Sequence, residues 1–275
     1  MAIMSVDLFS KSLMRTVHIR AIIPGDQRDL MGNFVQEPKP LKTLYLLHGI
    51  LGSESDWVNG TRIAEWAQSR NLAVIMPAGE NRFYVDQQKT MEYYGEFIGQ
   101  ELVELTRRLF PLSHKKEDTY IAGLSMGGYG ALRNGLKYHE TFGAIGALSS
   151  ALVMDDIAKS DDTSPISFQR RSYYEAVFGD VHQVVGSDLD PRALIQQLKK
   201  TNQNIPKLYL ACGLQDFLIE KNHVFRDFLI KEEVEVTYEE GEGTHSWLFW
   251  DTYMKHFLDW LALDSEAAVH SGNVR

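Results

Sequence analysis

Cysteine is almost absent: Cys212 is the one thiol in 275 residues, so the chain can close no intramolecular disulfide and build no zinc site of the paired-cysteine kind. Such cysteine usage suits a reducing compartment, and a cytoplasmic location is the expectation. Long hydrophobic runs are missing as well. No stretch approaches the roughly 18 apolar residues of a membrane span, and the N-terminal MAIMSVDLFSKSLMRTVHIRAIIP lacks the charged start and apolar core of a secretory leader. Basic clusters are few. The longest, His114-Lys115-Lys116, lies in a polar linker, and 28 basic residues stand against 37 acidic ones for a formal charge of -9. A chain of that balance does not neutralise a phosphate backbone, so neither nucleic acid nor a membrane is an expected partner.

What is present is apolar sequence in a regular rhythm. An apolar share of 44% is ample for a continuous core. Short, mostly continuous apolar runs at residues 44–47, 72–76, 119–123, 144–148 and 207–212 suit strands buried on both faces, with a further strand at 234–238. Residues 17–24 alternate and suit an early antiparallel strand. Between them, residues 57–69, 93–109, 126–138, 221–231 and 247–261 repeat apolar positions at helical spacing. Strands alternating with helices predict a doubly wound α/β fold, with a mostly parallel central sheet covered on both faces. No linker divides the chain, so residues 1–275 are expected to form one domain. Residues 151–205 break the rhythm with clusters of Asp, Ser and Gly and one short helical piece at 193–200, and are read as a cap-like insertion. Residues 264–275 are small and polar and are expected to fray.

The strongest local pattern is G-x-S-x-G at Gly123, Ser125 and Gly127, with an apolar run before it and a helix-forming stretch after it. That context predicts a tight strand-to-helix turn that exposes the Ser125 hydroxyl and aims the Met126 N–H at a developing oxyanion. A phosphate-cradling loop does not fit, because the P-loop lysine is absent and the glycine spacing is wrong for a dinucleotide fingerprint. A serine hydroxyl needs a base. In this fold acid and base follow the nucleophile, each after a later strand, which removes His18, His48 and His114 from the nine histidines. His139 and His182 do not follow late strands, His223 and His256 fall within helices, and His270 is in the tail. His245 remains, reached from the 234–238 strand through Glu240-Gly-Glu-Gly-Thr244. Asp216, after the 207–212 strand and a glycine turn, is the expected orienting acid, with Asp188 and Asp190 as substitutes. The second oxyanion donor is assigned to the N–H of Ile50, with Leu51 as the fallback, and His48 to anchoring their loop. No cofactor and no metal ligand set is called for.

These motifs resemble those of the esterase D and tributyrin esterase branch of the α/β-hydrolases, a group that includes S-formylglutathione hydrolases and acetyl and feruloyl esterases. The resemblance rests on Leu47-His-Gly-Ile-Leu-Gly52 followed by Trp57, Gly123-Leu-Ser-Met-Gly-Gly-Tyr-Gly-Ala-Leu132, residues 173–180 with Val185-Gly-Ser-Asp188, Cys212-Gly-Leu-Gln-Asp216 and Gly243-Thr-His-Ser-Trp247. It implies an α/β-hydrolase fold, cleavage of short acyl esters through an acyl-enzyme, a small ester as partner, and self-association into a homo-oligomer. Acetyl-xylan or feruloyl esters, S-formylglutathione, acyl transfer and a non-catalytic binding role are the alternatives. The formylglutathione hydrolases carry a cysteine in the oxyanion loop where Ile50-Leu51-Gly52-Ser53 has none, which sets thioesters lower. Leu51, Trp57, Phe83, Tyr84, Tyr93, Tyr94 and Trp247 are the expected substrate-contacting residues.

Overall fold

A computed structural model of the chain describes residues 1–26, 31 and 39–263. The expected frayed segment 264–275 lies outside the described residues. The strands in chain order are β1 (Ala2–Ser10), β2 (Arg15–Ile23), β3 (Lys42–Leu47), β4 (Leu72–Pro77), β5 (Asp86–Gln87), β6 (Glu92–Tyr93), β7 (Thr119–Leu124), β8 (Ala144–Leu148), β9 (Lys207–Gly213) and β10 (Val236–Gly241). β5 and β6 pair with each other, and the other eight form one sheet in the order β1-β2-β4-β3-β7-β8-β9-β10. From β4 to β10 every neighbouring pair is parallel, while β1 with β2 and β2 with β4 are antiparallel.

Burial follows the sequence pattern. Every residue of β4, β7 and β8 is buried, as continuous apolar runs require of central parallel strands. β1 instead alternates along most of its length and lies at the sheet edge. It was not among the expected strands, because half its positions face outward and its apolar content is diluted accordingly.

The helices are α1 (Asp56–Gly60), α2 (Ile63–Ser69), α3 (Tyr94–Glu96), α4 (Leu102–Leu109), α5 (Met126–Lys137), α6 (Met154–Lys159), α7 (Arg171–Phe178), α8 (Pro191–Lys200), α9 (Ile219–Lys231) and α10 (Trp247–Trp260), with a π turn at Phe97–Glu101 joining α3 to α4. They cover both faces of the sheet. Phe97, Leu102, Leu132 and Phe225 pack on one side, and Trp57, Trp66, Met254 and Phe257 on the other. The helix expected over 57–69 is two helices, because Thr61 is extended (φ -142, ψ 173) and ends α1. Gly60 sits so close to the Trp247 ring that a Cβ there would lie 2.4 Å from it.

Residues 151–205 hold α6, α7 and α8. Ring contacts and ion pairs tie the segment to α5 and to the connection between β4 and β5. Phe178 meets Phe83 and Tyr129 at ring centroids of 5.1 and 6.2 Å, and the buried Arg133 guanidinium bonds the Asp188 carboxylate at 2.9 Å. Among the described residues no helix is long and apolar enough to cross a membrane.

Candidate active site

Ser125 occupies the turn from β7 into α5 with φ 54 and ψ -117, a left-handed conformation that L-residues avoid unless surrounding structure imposes it. The glycines on either side explain how it is imposed. A Cβ on Gly123 would lie 2.4 Å from the Gly127 carbonyl oxygen, and one on Gly127 would lie 2.4 Å from the Leu47 carbonyl oxygen. Only glycine lets the strand end, the helix start and β3 approach so closely. The Ser125 N–H donates to the Leu148 carbonyl at 2.9 Å and its carbonyl accepts from Ala151 at 3.0 Å, so the turn is fixed from the neighbouring strand.

The loop after β10 brings His245 to this serine, and the loop after β9 brings Asp216 to His245. His245 Nε2 lies 3.0 Å from Ser125 Oγ, and His245 Nδ1 lies 2.8 Å from Asp216 Oδ2. An ionised carboxylate only accepts, so Nδ1 carries the proton in this arrangement and Nε2 is free to accept from the serine. The ring is confined between Phe217 (4.6 Å) and the edge-on Trp250 (4.9 Å). Asp216 is buried, and its Oδ1 accepts the Leu218 N–H at 2.9 Å. Burial pushes its carboxyl upward, but the His245 and Leu218 hydrogen bonds outweigh that and hold it below the usual carboxylate range.

The loop after β3 is anchored by His48. Its Nε2 accepts the Gly79 N–H at 2.9 Å, so Nδ1 is the protonated nitrogen and donates to the Gly49 carbonyl at 2.7 Å. Burial lowers the His48 pKa, in keeping with this neutral tautomer. Of the candidate oxyanion donors, Leu51 is engaged, since its N–H donates to Asn81 Oδ1 at 2.7 Å. The N–H groups of Ile50 and Met126 have no acceptor among the described residues. Met126 also begins α5, whose positive end therefore faces the site.

Ser125 and His245 open into a cleft of about 970 Å³. Leu51, Phe83 and Trp247 line it, as do Ile50 and Met126. Four expected contacts do not reach it. Trp57 is buried behind the site, its Nε1–H donating to the Leu47 carbonyl and its ring meeting Trp247 edge-on at 5.5 Å. Tyr84 is wholly buried and donates to the His48 carbonyl at 2.9 Å. Tyr94 is buried with its hydroxyl on Arg15, and Tyr93 closes the small β5–β6 ribbon. The side chains of Trp57, Tyr84 and Tyr94 brace the structure behind the cleft rather than face it.

Asp188 and Asp190 take structural parts. Asp188 pairs with Arg133 and Lys137, while Asp190 caps α8 by accepting the Arg192 N–H. Sequence reasoning missed Phe217, Trp250 and Tyr174 on the cleft wall. Phe217 follows Asp216 directly and could have been found from that position; Tyr174 arrives from α7, which no local pattern announced. Among the described residues no three His, Cys, Asp or Glu side chains cluster as metal ligands would.

The Esterase family matches this chain over residues 10–260. The chain belongs to that family. It is 46% identical over 266 residues to the acetyl esterase of Caldicellulosiruptor saccharolyticus, covering 97% of this chain and 100% of that protein. Among solved structures it is similar to the fluorophosphonate-binding serine hydrolase F of Staphylococcus aureus, at 31% identity and a TM-score of 0.84, covering 96% of this chain and 99% of that one. The S-formylglutathione hydrolase of Staphylococcus aureus matches at 30% identity and a TM-score of 0.80, covering 94% and 98%. This member of the Esterase family has the α/β-hydrolase fold and is a carboxylic ester hydrolase.

Proposed function

We propose that the protein hydrolyses short-chain acyl esters through an acyl-enzyme formed on Ser125. The observation that carries this reading is the unbroken hydrogen-bonded line from Ser125 Oγ through His245 to the buried Asp216 carboxylate, at 3.0 and 2.8 Å. His245 takes the serine proton as Oγ attacks the ester carbonyl, then gives it to the leaving alcohol. Asp216 stays ionised, holds the ring in the productive tautomer and stabilises the imidazolium. The Ile50 and Met126 N–H groups receive the carbonyl oxygen as it becomes an oxyanion. Water then repeats the sequence on the acyl-enzyme and frees the acid.

The preference for a small acyl group is supported by the likeness to an acetyl esterase. A cytoplasmic site of action fits the single buried thiol of Cys212. The test is a comparison of kcat/KM for p-nitrophenyl acetate, butyrate and octanoate and for S-formylglutathione, with a fluorophosphonate as label for Ser125. Preference for the acetyl or butyryl ester, with one label at Ser125, is the expected result. Preference for octanoate or the thioester, or labelling elsewhere, would overturn the reading.

A further inference from the structure

The segment that bears Ile50 holds an unusual shape. Leu51 has φ 64, a left-handed conformation at a residue with a branched side chain, and the turn is closed by a Gly52 N–H to Gly49 carbonyl bond of 3.2 Å. Positive φ is uncommon at a non-glycine residue, and a contact from outside the turn helps to hold it there.

The partner is Asn81, in the connection between β4 and β5. Its Oδ1 accepts the Leu51 N–H at 2.7 Å. The peptide N–H one residue earlier, that of Ile50, is left without an acceptor among the described residues and lies on the cleft. Successive peptide planes are coupled through φ and ψ, so fixing the Leu51 N–H constrains where the Ile50 N–H points. Asn81 is itself tied down. Tyr173, on α7 within the 151–205 segment, donates its hydroxyl to the Asn81 carbonyl at 2.6 Å. Two more bonds lace the same pair of loops together, Gly79 N–H to His48 Nε2 and Tyr84 hydroxyl to the His48 carbonyl, both at 2.9 Å.

We infer that Asn81 is the positioning residue of the oxyanion loop, and that Tyr173 holds Asn81 in place and so couples the inserted segment to the rate of the chemical step. Asn81 touches no reacting atom; it acts by aiming the Ile50 N–H. The inference rests on the proposed function, since an oxyanion must form for the aim to matter.

Its signature is a loss in turnover without a loss in substrate binding. Removing an oxyanion donor outright costs about 10² to 10³ in kcat, and leaving the donor present but badly aimed should cost part of that. Asn81→Ala is expected to lower kcat on p-nitrophenyl acetate by about ten- to fiftyfold while KM changes by less than about twofold. Tyr173→Phe, which removes one oxygen atom, should lower kcat by about threefold. Because Tyr173 acts through Asn81, the double variant should be no slower than Asn81→Ala alone, a non-additivity that two separate packing defects would not produce.

Ser125→Ala run in parallel separates the two levels of argument. If that variant stays active, the proposed mechanism fails. If it is inactive while Asn81→Ala folds and keeps the wild-type kcat, only the Asn81 inference fails. A loss confined to KM, or a double variant slowed by the product of the single effects, would also overturn the inference. Should Asn81→Ala not fold, Tyr173→Phe carries the same test, with an unchanged kcat overturning it.

Discussion

The two walls of the cleft are built differently. At the Ser125 turn the fit is steric: Gly123 and Gly127 admit backbone oxygens to within 2.4 Å of where a Cβ would sit, and every residue of β7 is buried. Across from it the 151–205 segment carries short helices that bury Met154, Ile157, Val177, Val184 and Ile195 in the core, but many of its other positions are exposed and are held by ion pairs. Arg192 bonds Asp155 and Asp190, and Lys221 bonds Asp156. Close packing resists deformation, whereas ion pairs at a surface contribute little and are screened by salt. Ser125 thus stands on the stiff wall, while the 151–205 segment lends the cleft Phe168 and Tyr174.

The sharpest way to break this comparison is on the stiff wall. Ser125→Ala should lower kcat by roughly 10⁶, the scale seen when the nucleophile of a serine protease is removed, and should leave the thermal melt within a few degrees of wild type. Retained turnover in a folded variant would mean that the chemistry lies elsewhere. Gly127→Ala is the complementary case. With the Leu47 oxygen 2.4 Å from the new Cβ, the turn must open, and both folding yield and activity should collapse; a stable, active Gly127→Ala protein would show that the wall is less rigid than its geometry implies.

Asp216→Asn comes next. It keeps the shape but lets His245 take the wrong tautomer, and in a serine protease this change costs roughly 10⁴ in kcat. The same substitution carries a pH signature. The folded carboxyl of Asp216 is held below its ordinary range, so its contribution to stability is present above the unfolded carboxylate value of roughly 3.9 and is lost as pH falls through the lower folded value. The melting temperature of the wild type should therefore fall toward that of Asp216→Asn below about pH 4. A gap between the two that is constant from neutral to acid pH would contradict the ionised state assigned here.

On the softer wall the expected effects are smaller. The Arg133 guanidinium is 1% exposed and reaches Asp188 at 2.9 Å and Asp86 at 3.6 Å. Asp188→Asn leaves this buried guanidinium with Asp86 at 3.6 Å in place of the close Asp188 carboxylate, and a buried charge stripped of its partner costs about 3 kcal/mol. Arg133→Met removes the buried charge itself and leaves the carboxylates to Lys137 and, for the half-exposed Asp188, to water, so it should cost less, about 1 kcal/mol. Arg133→Met should also speed proteolytic cutting within 151–205 before the rest of the chain is attacked. An unchanged melt and an unchanged cutting pattern would show that the ring contacts of Phe178, and not this ion pair, hold the segment.

The same division explains what the sequence disclosed. Strands β4, β7 and β8 are legible because continuous apolar runs have one common explanation, and Ser125, Asp216 and His245 because each closes a recognisable strand or loop. Of the helices in residues 151–205, α8 was legible at 193–200, whereas α6 and α7 were opaque: they span six and eight residues, too short to be stable through propensity, and owe their shape to tertiary contacts. Trp57, Tyr84 and Tyr94 show the same limit from the other side. An aromatic residue near a site reads alike whether it faces the cleft or braces the loop behind it, and only the partners of its ring and polar tip decide. The Leu51 to Asn81 bond joins residues 30 positions apart and no spacing rule reaches it.

The smallest expected effect belongs to Cys212, and it tests how closed the stiff wall is. This thiol lies in β9, four residues before Asp216, with no exposed surface. Burial, with a further contribution from the Asp216 charge, pushes its pKa up to about 12. A thiol must ionise and be reached before it is alkylated, and here both steps are hindered. N-ethylmaleimide or iodoacetamide at pH 8 should therefore leave ester hydrolysis intact over hours, while the guanidinium-unfolded chain takes up one label promptly. In the folded enzyme, labelling should proceed only as fast as β9 opens, and it should lag behind proteolytic cutting in the 151–205 segment. If Cys212 were instead labelled quickly in the native protein, with activity lost in step, β9 would be opening more readily than residues 151–205. The ranking of the two walls would then be reversed.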